Sequence, residues 1–388
     1  MNSLKEIVES SPQLRSLQLG GLRGEQKNLD RPADSPQSLA AAKWDWQTIE
    51  RVLVIRLRSI GDTVLSTPSL FALKRFLPHA ALDILLEDWV APVLDGFPHV
   101  DNVITVARGS TAARVRLART LRSRRYDVVY NLHGGTTATL LTRATGAKHR
   151  VGYKAYQYAR FYNCLSPSSS ELWGRAKTHS VEQQLALLGW TGVPVSDRPA
   201  THLAVTDGAA AAVARRLQTV GFTATPFAVL HPAAASDTKQ WSPEKFARVA
   251  EDLTGQDLGV VVIAAPDQAQ VIDELRHSVT TPVVTFTDLS LPEITALLAR
   301  ARLFVGNDSG IAHMAAAVAT PAVVIFGSSN RAHWRPWASG PAEVVYHELD
   351  CQPCHGYFCE KFAEPECIKR VPVERVLATV ARVLRESA

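Results

Sequence analysis

Long apolar runs are missing from this chain of 388 residues. None approaches the ~20 residues that a helical bilayer span needs, so no such span is expected. The start, MNSLKEIVESSPQLRSLQLGG, lacks the apolar core of a secretory signal. The reading is a cytoplasmic chain, with peripheral contact to the inner face of a membrane left open. Short tandem repeats are absent as well. The first apolar run is followed by RSIGDT and not by G-x-G-x-x-G, which excludes a nicotinamide-dependent oxidoreductase. Excess charge is also lacking. The net charge of +5 permits an anionic partner without calling for nucleic acid.

What is present is the balance of an ordinary folded protein, 46% hydrophobic and 20% charged. Its length suits two domains of about 150 residues plus extras. Residues 1–46 are polar with little periodicity and read as a mobile extension. From Arg51 onward, short apolar runs alternate with helical patterns. VLVIRL (52–57), LDILLE (82–87), NVITV (102–106) and DVVYNL (127–132) read as strands. GDTVLSTPSLFALKRFL reads as one helix that tolerates Pro68 near its start. The Pro-containing connector TGVPVSDRPATHLAV marks a boundary near residue 200, and a second alternating series follows. Such alternation predicts parallel sheets with helices on both faces. The division is 47–200, 201–370 and a last helix over 371–388 that could return across the first domain.

Ligands of such sheets bind beyond the carboxyl ends of the strands, and three loops there draw attention. In RLRSIGDTVLSTP, Gly61 permits a sharp turn and close approach of a ligand, and Ser59 and Gly61 read as acceptor-side loop residues. Asp62 reads either as an N-cap or as a general base taking the proton of a sugar hydroxyl. In LHPAAASDTKQWSPEKF, Lys239 is either a solvated lysine or a cation for phosphate, and the neighbouring Trp241 favours a site. In LFVGNDSGIAHMAAAVATPAVVIFG, Asp308, Ser309 and Gly310 open a helix whose free amides and dipole attract a diphosphate. Asp308 suits sugar hydroxyls as an acceptor. His313 either faces the phosphates or packs. Glu293 lies in the first turn of another helix, a position acids favour structurally, or contacts a nucleoside.

Together these three segments resemble glycosyltransferase family 9, the lipopolysaccharide heptosyltransferases, from about Arg51 to the C-terminus. The resemblance implies a GT-B fold: two facing Rossmann-like α/β domains, acceptor on the first and nucleotide-sugar on the second. It implies inverting, metal-independent transfer of a heptose from ADP-heptose to a lipopolysaccharide-precursor acceptor. By position, Asp62 matches the family's base and Lys239 its phosphate-side lysine. Asp308, Ser309, Gly310 and His313 match its donor segment, and Glu293 an acidic donor contact. No Asp-x-Asp pair is placed to hold a divalent cation. Transfer of another nucleotide-activated sugar, or sugar-nucleotide binding without turnover, are the alternatives.

Three features stand apart. Cys351, Cys354, Cys359 and Cys367 cluster in CQPCHGYFCEKFAEPEC, with His355 as a spare ligand. A structural zinc, a disulfide and free thiols are all open there. RGSTAARVRLARTLRSRRYD (108–127) holds a strongly basic helix over 111–125, read as a solvated face or as contact with an acidic acceptor or membrane. The basic and aromatic GYKAYQYARFY (152–162) is a candidate acceptor loop.

Overall fold

The computed structural model describes residues 35–387 apart from 108, 110, 223, 224, 355 and 356. Residues 1–34 of the expected extension, and His355, thus lie outside the described residues. Residues 37–46, also assigned to the extension, are held on the first domain. Leu39 and Ala40 donate to the Gly189 carbonyl at 3.1 and 3.2 Å. Trp46 is buried, with its indole donating to Thr191.

Among the described residues, twelve strands form two sheets of six, all parallel. The first holds β1 (Arg51–Ile55), β2 (Ala81–Glu87), β3 (Asn102–Val106), β4 (Val128–Asn131), β5 (His149–Tyr153) and β6 (Cys164–Ser166) in the order β3-β2-β1-β4-β5-β6. The second holds β7 (Phe227–His231), β8 (Gly259–Ile263), β9 (Val284–Phe286), β10 (Leu303–Asn307), β11 (Ala322–Phe326) and β12 (Ala342–Tyr346) in the order β12-β11-β10-β7-β8-β9. Each order reverses beside its first strand, so each sheet has a switch point, at β1/β4 and at β7/β10. Crevices open at such points. Central strands are buried on both faces, which is why they read as unbroken apolar runs.

Two expectations change. The helix expected after β1 is two, Ile60–Val64 and Thr67–Phe76. At the break, the hydroxyls of Ser66 and Thr67 bond the Thr63 and Val64 carbonyls at 2.7 Å each, which competes with helical continuation. Pro68 then sits in the first turn of the second helix. The final helix, Val373–Glu386, does not cross to the first domain. Val373, Val376, Val380 and Val383 are buried in the second domain's core with Trp241, Phe246 and Val323. A valine stripe at helical spacing covers the nearest apolar face, here that of its own sheet.

Candidate active site

Arg56 follows β1 directly and Leu132 follows β4, so the first switch point brings both to one place. The Arg56 guanidinium donates to the Leu132 carbonyl and pairs with Asp62. Ser59, not Asp62, is the N-cap of the helix Ile60–Val64. Asp62 reaches back to it, accepting from the Ser59 amide at 3.2 Å and its hydroxyl at 3.3 Å. The carboxylate is thus fixed on two sides, and 22% of its side chain stays exposed to accept a further proton donor.

The second switch point is tied by Asn307, the buried last residue of β10. Its side chain accepts from the Trp241 amide at 3.1 Å and donates to the Pro232 carbonyl at 2.7 Å. It therefore holds the loop after β7 against the end of β10. Lys239 on that loop stands 2.9 Å from Asp308, which also accepts from the Ser329 hydroxyl. Ser309 caps the helix Gly310–Ala317, accepting from the Ala312 amide. Its hydroxyl lies 3.3 Å from His231. His313 is 5% exposed and its Nδ1 has no partner among the described residues. Burial lowers its pKa against the pull of Asp308 and Asp62, so the ring is neutral near pH 7.

The two switch points face each other. A Cβ on Gly61 would lie 2.8 Å from the His313 ring, and one on Gly310 would lie 2.8 Å from Ile60 Cβ. Only glycines at both positions let the two helix starts approach this closely. The result is a cavity of about 280 Å³ lined by Ser59, Gly61, Asp62, Lys239, Asp308 and Ser309, together with Gly310, His313 and Trp334. Two neighbours extend it. An apolar cavity of about 470 Å³ shares Ser59, Gly61, Ser309 and Gly310 and is walled by Ile263, Phe286 and Ile294. A polar one of about 200 Å³ lies toward Arg56, His133, Tyr153, Tyr156, Gln183 and His333.

Eight of the residues singled out from sequence, Ser59, Gly61, Asp62, Lys239, Asp308, Ser309, Gly310 and His313, therefore line one space. Others sit elsewhere. Glu293 caps its own helix through Ser290 and pairs with Arg216 at 3.0 Å. Burial raises its pKa, but the Ser290 hydrogen bonds and the Arg216 charge outweigh this and hold the carboxyl below its usual range. Trp241 is not part of the site. It is wholly buried, and its indole donates to the Val371 carbonyl at 3.0 Å. In the 152–162 segment, Tyr156 and Tyr162 brace the end of β4 through Asn131. The basic helix is observed over Thr111–Ser123, with Arg116, Arg119 and Arg122 exposed.

Cys351, Cys354, Cys359 and Cys367 form no disulfide among the described residues. Among the described residues no group of three or more His, Cys, Asp or Glu side chains is placed to hold a metal ion. Burial, with help from the other three thiols, pushes the Cys367 pKa up to about 11. Sequence reading missed Arg56, Asn307, His231, Ser329 and Trp334. Arg56, His231 and Asn307 carried a signal, each being a polar residue at the end of an apolar strand.

A model of the family described as Glycosyltransferase family 9 (heptosyltransferase) matches residues 114–362. The chain is similar to lipopolysaccharide heptosyltransferase 3 of Escherichia coli strain K12, 28% identical over 342 residues, covering 86% of this chain and 97% of that protein. Its fold matches the solved E. coli ADP-heptose lps heptosyltransferase II, with a TM-score of 0.72 and 23% identity, over 87% of this chain and 100% of that one. It also matches E. coli heptosyltransferase WaaC with ADP-2-deoxy-2-fluoro heptose, TM-score 0.62 and 20% identity, over 86% and 99%. The two sheets and the cleft between them are the GT-B architecture. No helix among the described residues is long and apolar enough to cross a membrane.

Proposed function

The chain belongs to glycosyltransferase family 9, and on that premise we propose that it transfers a heptose from ADP-heptose to a lipopolysaccharide inner-core acceptor. The observation that carries this reading is the single cavity in which Asp62 shares walls with Lys239, Ser309 and Gly310. A proton acceptor stands on one domain, and a cation with a helix N-terminus stands on the other.

In the proposed reaction an acceptor hydroxyl enters from the side of Arg56, His133 and Tyr156. Its oxygen attacks the anomeric carbon of the heptose while Asp62 takes the proton. The bond from that carbon to the phosphate oxygen breaks, and its electron pair leaves on ADP. Attack and departure on opposite faces invert the centre. Lys239 and the amides at Gly310 offset the charge gathering on the leaving diphosphate, so the step needs no divalent cation. Asp308 accepts from sugar hydroxyls, and the apolar cavity beyond Ser309 takes the nucleoside. Arg56 positions the base. The work is assigned to the cytoplasmic face of the inner membrane, with the basic helix Thr111–Ser123 turned to acidic lipid. A structural zinc at the cysteine segment is a separate question, decided by metal analysis of the purified chain.

Competition binding tests the donor. ADP should displace a fluorescent ADP analogue at least ten times more effectively than UDP or GDP. Equal displacement by all three would remove ADP-heptose as the donor.

A further inference from the structure

The two domains meet a second time, away from the transfer cavity. His179 caps the first-domain helix Ser180–Gly189, and its Nε2 lies 2.7 Å from the Arg335 carbonyl of the second domain. Trp337 of the second domain donates to the Pro199 carbonyl at 2.9 Å. Outward of this contact lies a cavity of about 540 Å³. It carries five cationic side chains, Arg175, Lys177 and Arg198 from the first half and Arg331 and Arg335 from the second, against the carboxylates Glu182 and Glu343.

The carboxylates do not balance the cations. Glu182 is shared by Arg175 at 3.0 Å and Arg198 at 3.1 Å. Glu343 is turned to Arg382, at 3.2 Å. Arg331 pairs with Glu348 and lies 3.7 Å over the Tyr346 ring. Lys177 and Arg335 have no carboxylate partner among the described residues. Burial lowers the His179 pKa to about 4, so its ring adds no charge at pH 7. Like charges gathered in one hollow repel, and the field they leave selects an anion. Guanidinium groups suit the oxygens of phosphate. The volume is that of a small-molecule pocket and exceeds what one phosphate fills.

We propose that this interdomain cavity binds a phosphate-bearing group through Lys177 and Arg198 on one domain and Arg331 and Arg335 on the other. The short helix Arg331–Trp334 also sends His333 and Trp334 to the cavities of the transfer site. An anion held by Arg331 and Arg335 therefore bears on the wall beside Asp62. Two sources share this chemistry: free inorganic phosphate, and a phosphorylated sugar of the acceptor. The second source rests on the function proposed above.

The test compares the full-length wild type with Lys177→Ala/Arg335→Ala. Both side chains are exposed, so the fold is not at stake. In the first arm, thermal unfolding is followed against inorganic phosphate at constant ionic strength, with saturating ADP filling the donor site. Free phosphate as ligand predicts that phosphate stabilises the wild type and that the variant loses at least about tenfold in apparent affinity. In the second arm, transfer rates are read against phosphorylated and dephosphorylated acceptor. An acceptor phosphate as ligand predicts a KM raised about tenfold for the phosphorylated form alone, with kcat unchanged. A change in either arm supports the site and names its source. No change in both overturns it. The first arm needs no turnover, so it stands even if the heptose reading fails.

Discussion

Lys239 Nζ stands 2.9 Å from Asp308 Oδ2, at the mouth of the helix Gly310–Ala317. The cation is aimed by a carboxylate that Ser329 also holds. If Lys239 offsets charge on the leaving diphosphate, Lys239→Ala should lower kcat by about 10²–10³. Initial rates of ADP release measure this. A fall in donor affinity alone, with kcat preserved, would place Lys239 in binding only.

Asp62 should behave differently. Asp62→Asn keeps the shape and removes the base, so kcat should fall by about 10²–10⁴. ADP affinity should stay unchanged, because Asp62 does not line the apolar cavity assigned to the nucleoside. Arg56→Ala should cost less in kcat, since it frees the carboxylate without removing it. Isothermal titration with ADP, beside the rates, separates these cases.

The approach of the two helix starts depends on Gly310. Its added Cβ would meet Ile60 Cβ at 2.8 Å and the Gly61 amide nitrogen at 3.1 Å. Backbone cannot yield as a side-chain tip can. Gly310→Ala should therefore force the domains apart, destabilise the chain by about 1–3 kcal/mol and reduce transfer. Denaturant unfolding and initial rates read the two effects.

Acid should weaken the fold through two buried histidines. Burial lowers both His179 and His231 to about 4. The unfolded chain, with His near 6.5, then binds more protons than the native one between about pH 4 and 6.5. Stability is complete above that window and falls as pH drops through it, by about 1.4 kcal/mol per unit for each ring at most. Phe at position 231 (His231→Phe) should flatten the slope in denaturant titrations at pH 5 and 6.5.

Much of this was readable in the chain. Nine apolar runs announced strands because parallel strands buried on both faces need no alternation. β5, β6 and β12 were not announced. HRVGY, CLS and AEVVY are short or interrupted by polar residues, and they lie toward the sheet edges. Asp62, Lys239 and the Asp308–Gly310 turn were legible because each sits where a strand hands over to a helix. The pairing of Arg56 with Asp62 was not, since orientation at a loop depends on Leu132, far along the chain. Trp241 misled because an aromatic beside a lysine looks the same in sequence whether it faces a ligand or the core.

The most direct measurement is mass spectrometry of an inner-core lipopolysaccharide acceptor after incubation with ADP-heptose and the protein, beside Asp62→Asn. The expected result is an acceptor heavier by one heptose residue with equimolar ADP, formed without added divalent cation and nearly abolished in the variant. An unchanged acceptor with intact, ADP-binding protein, or equal product from Asp62→Asn, would contradict it.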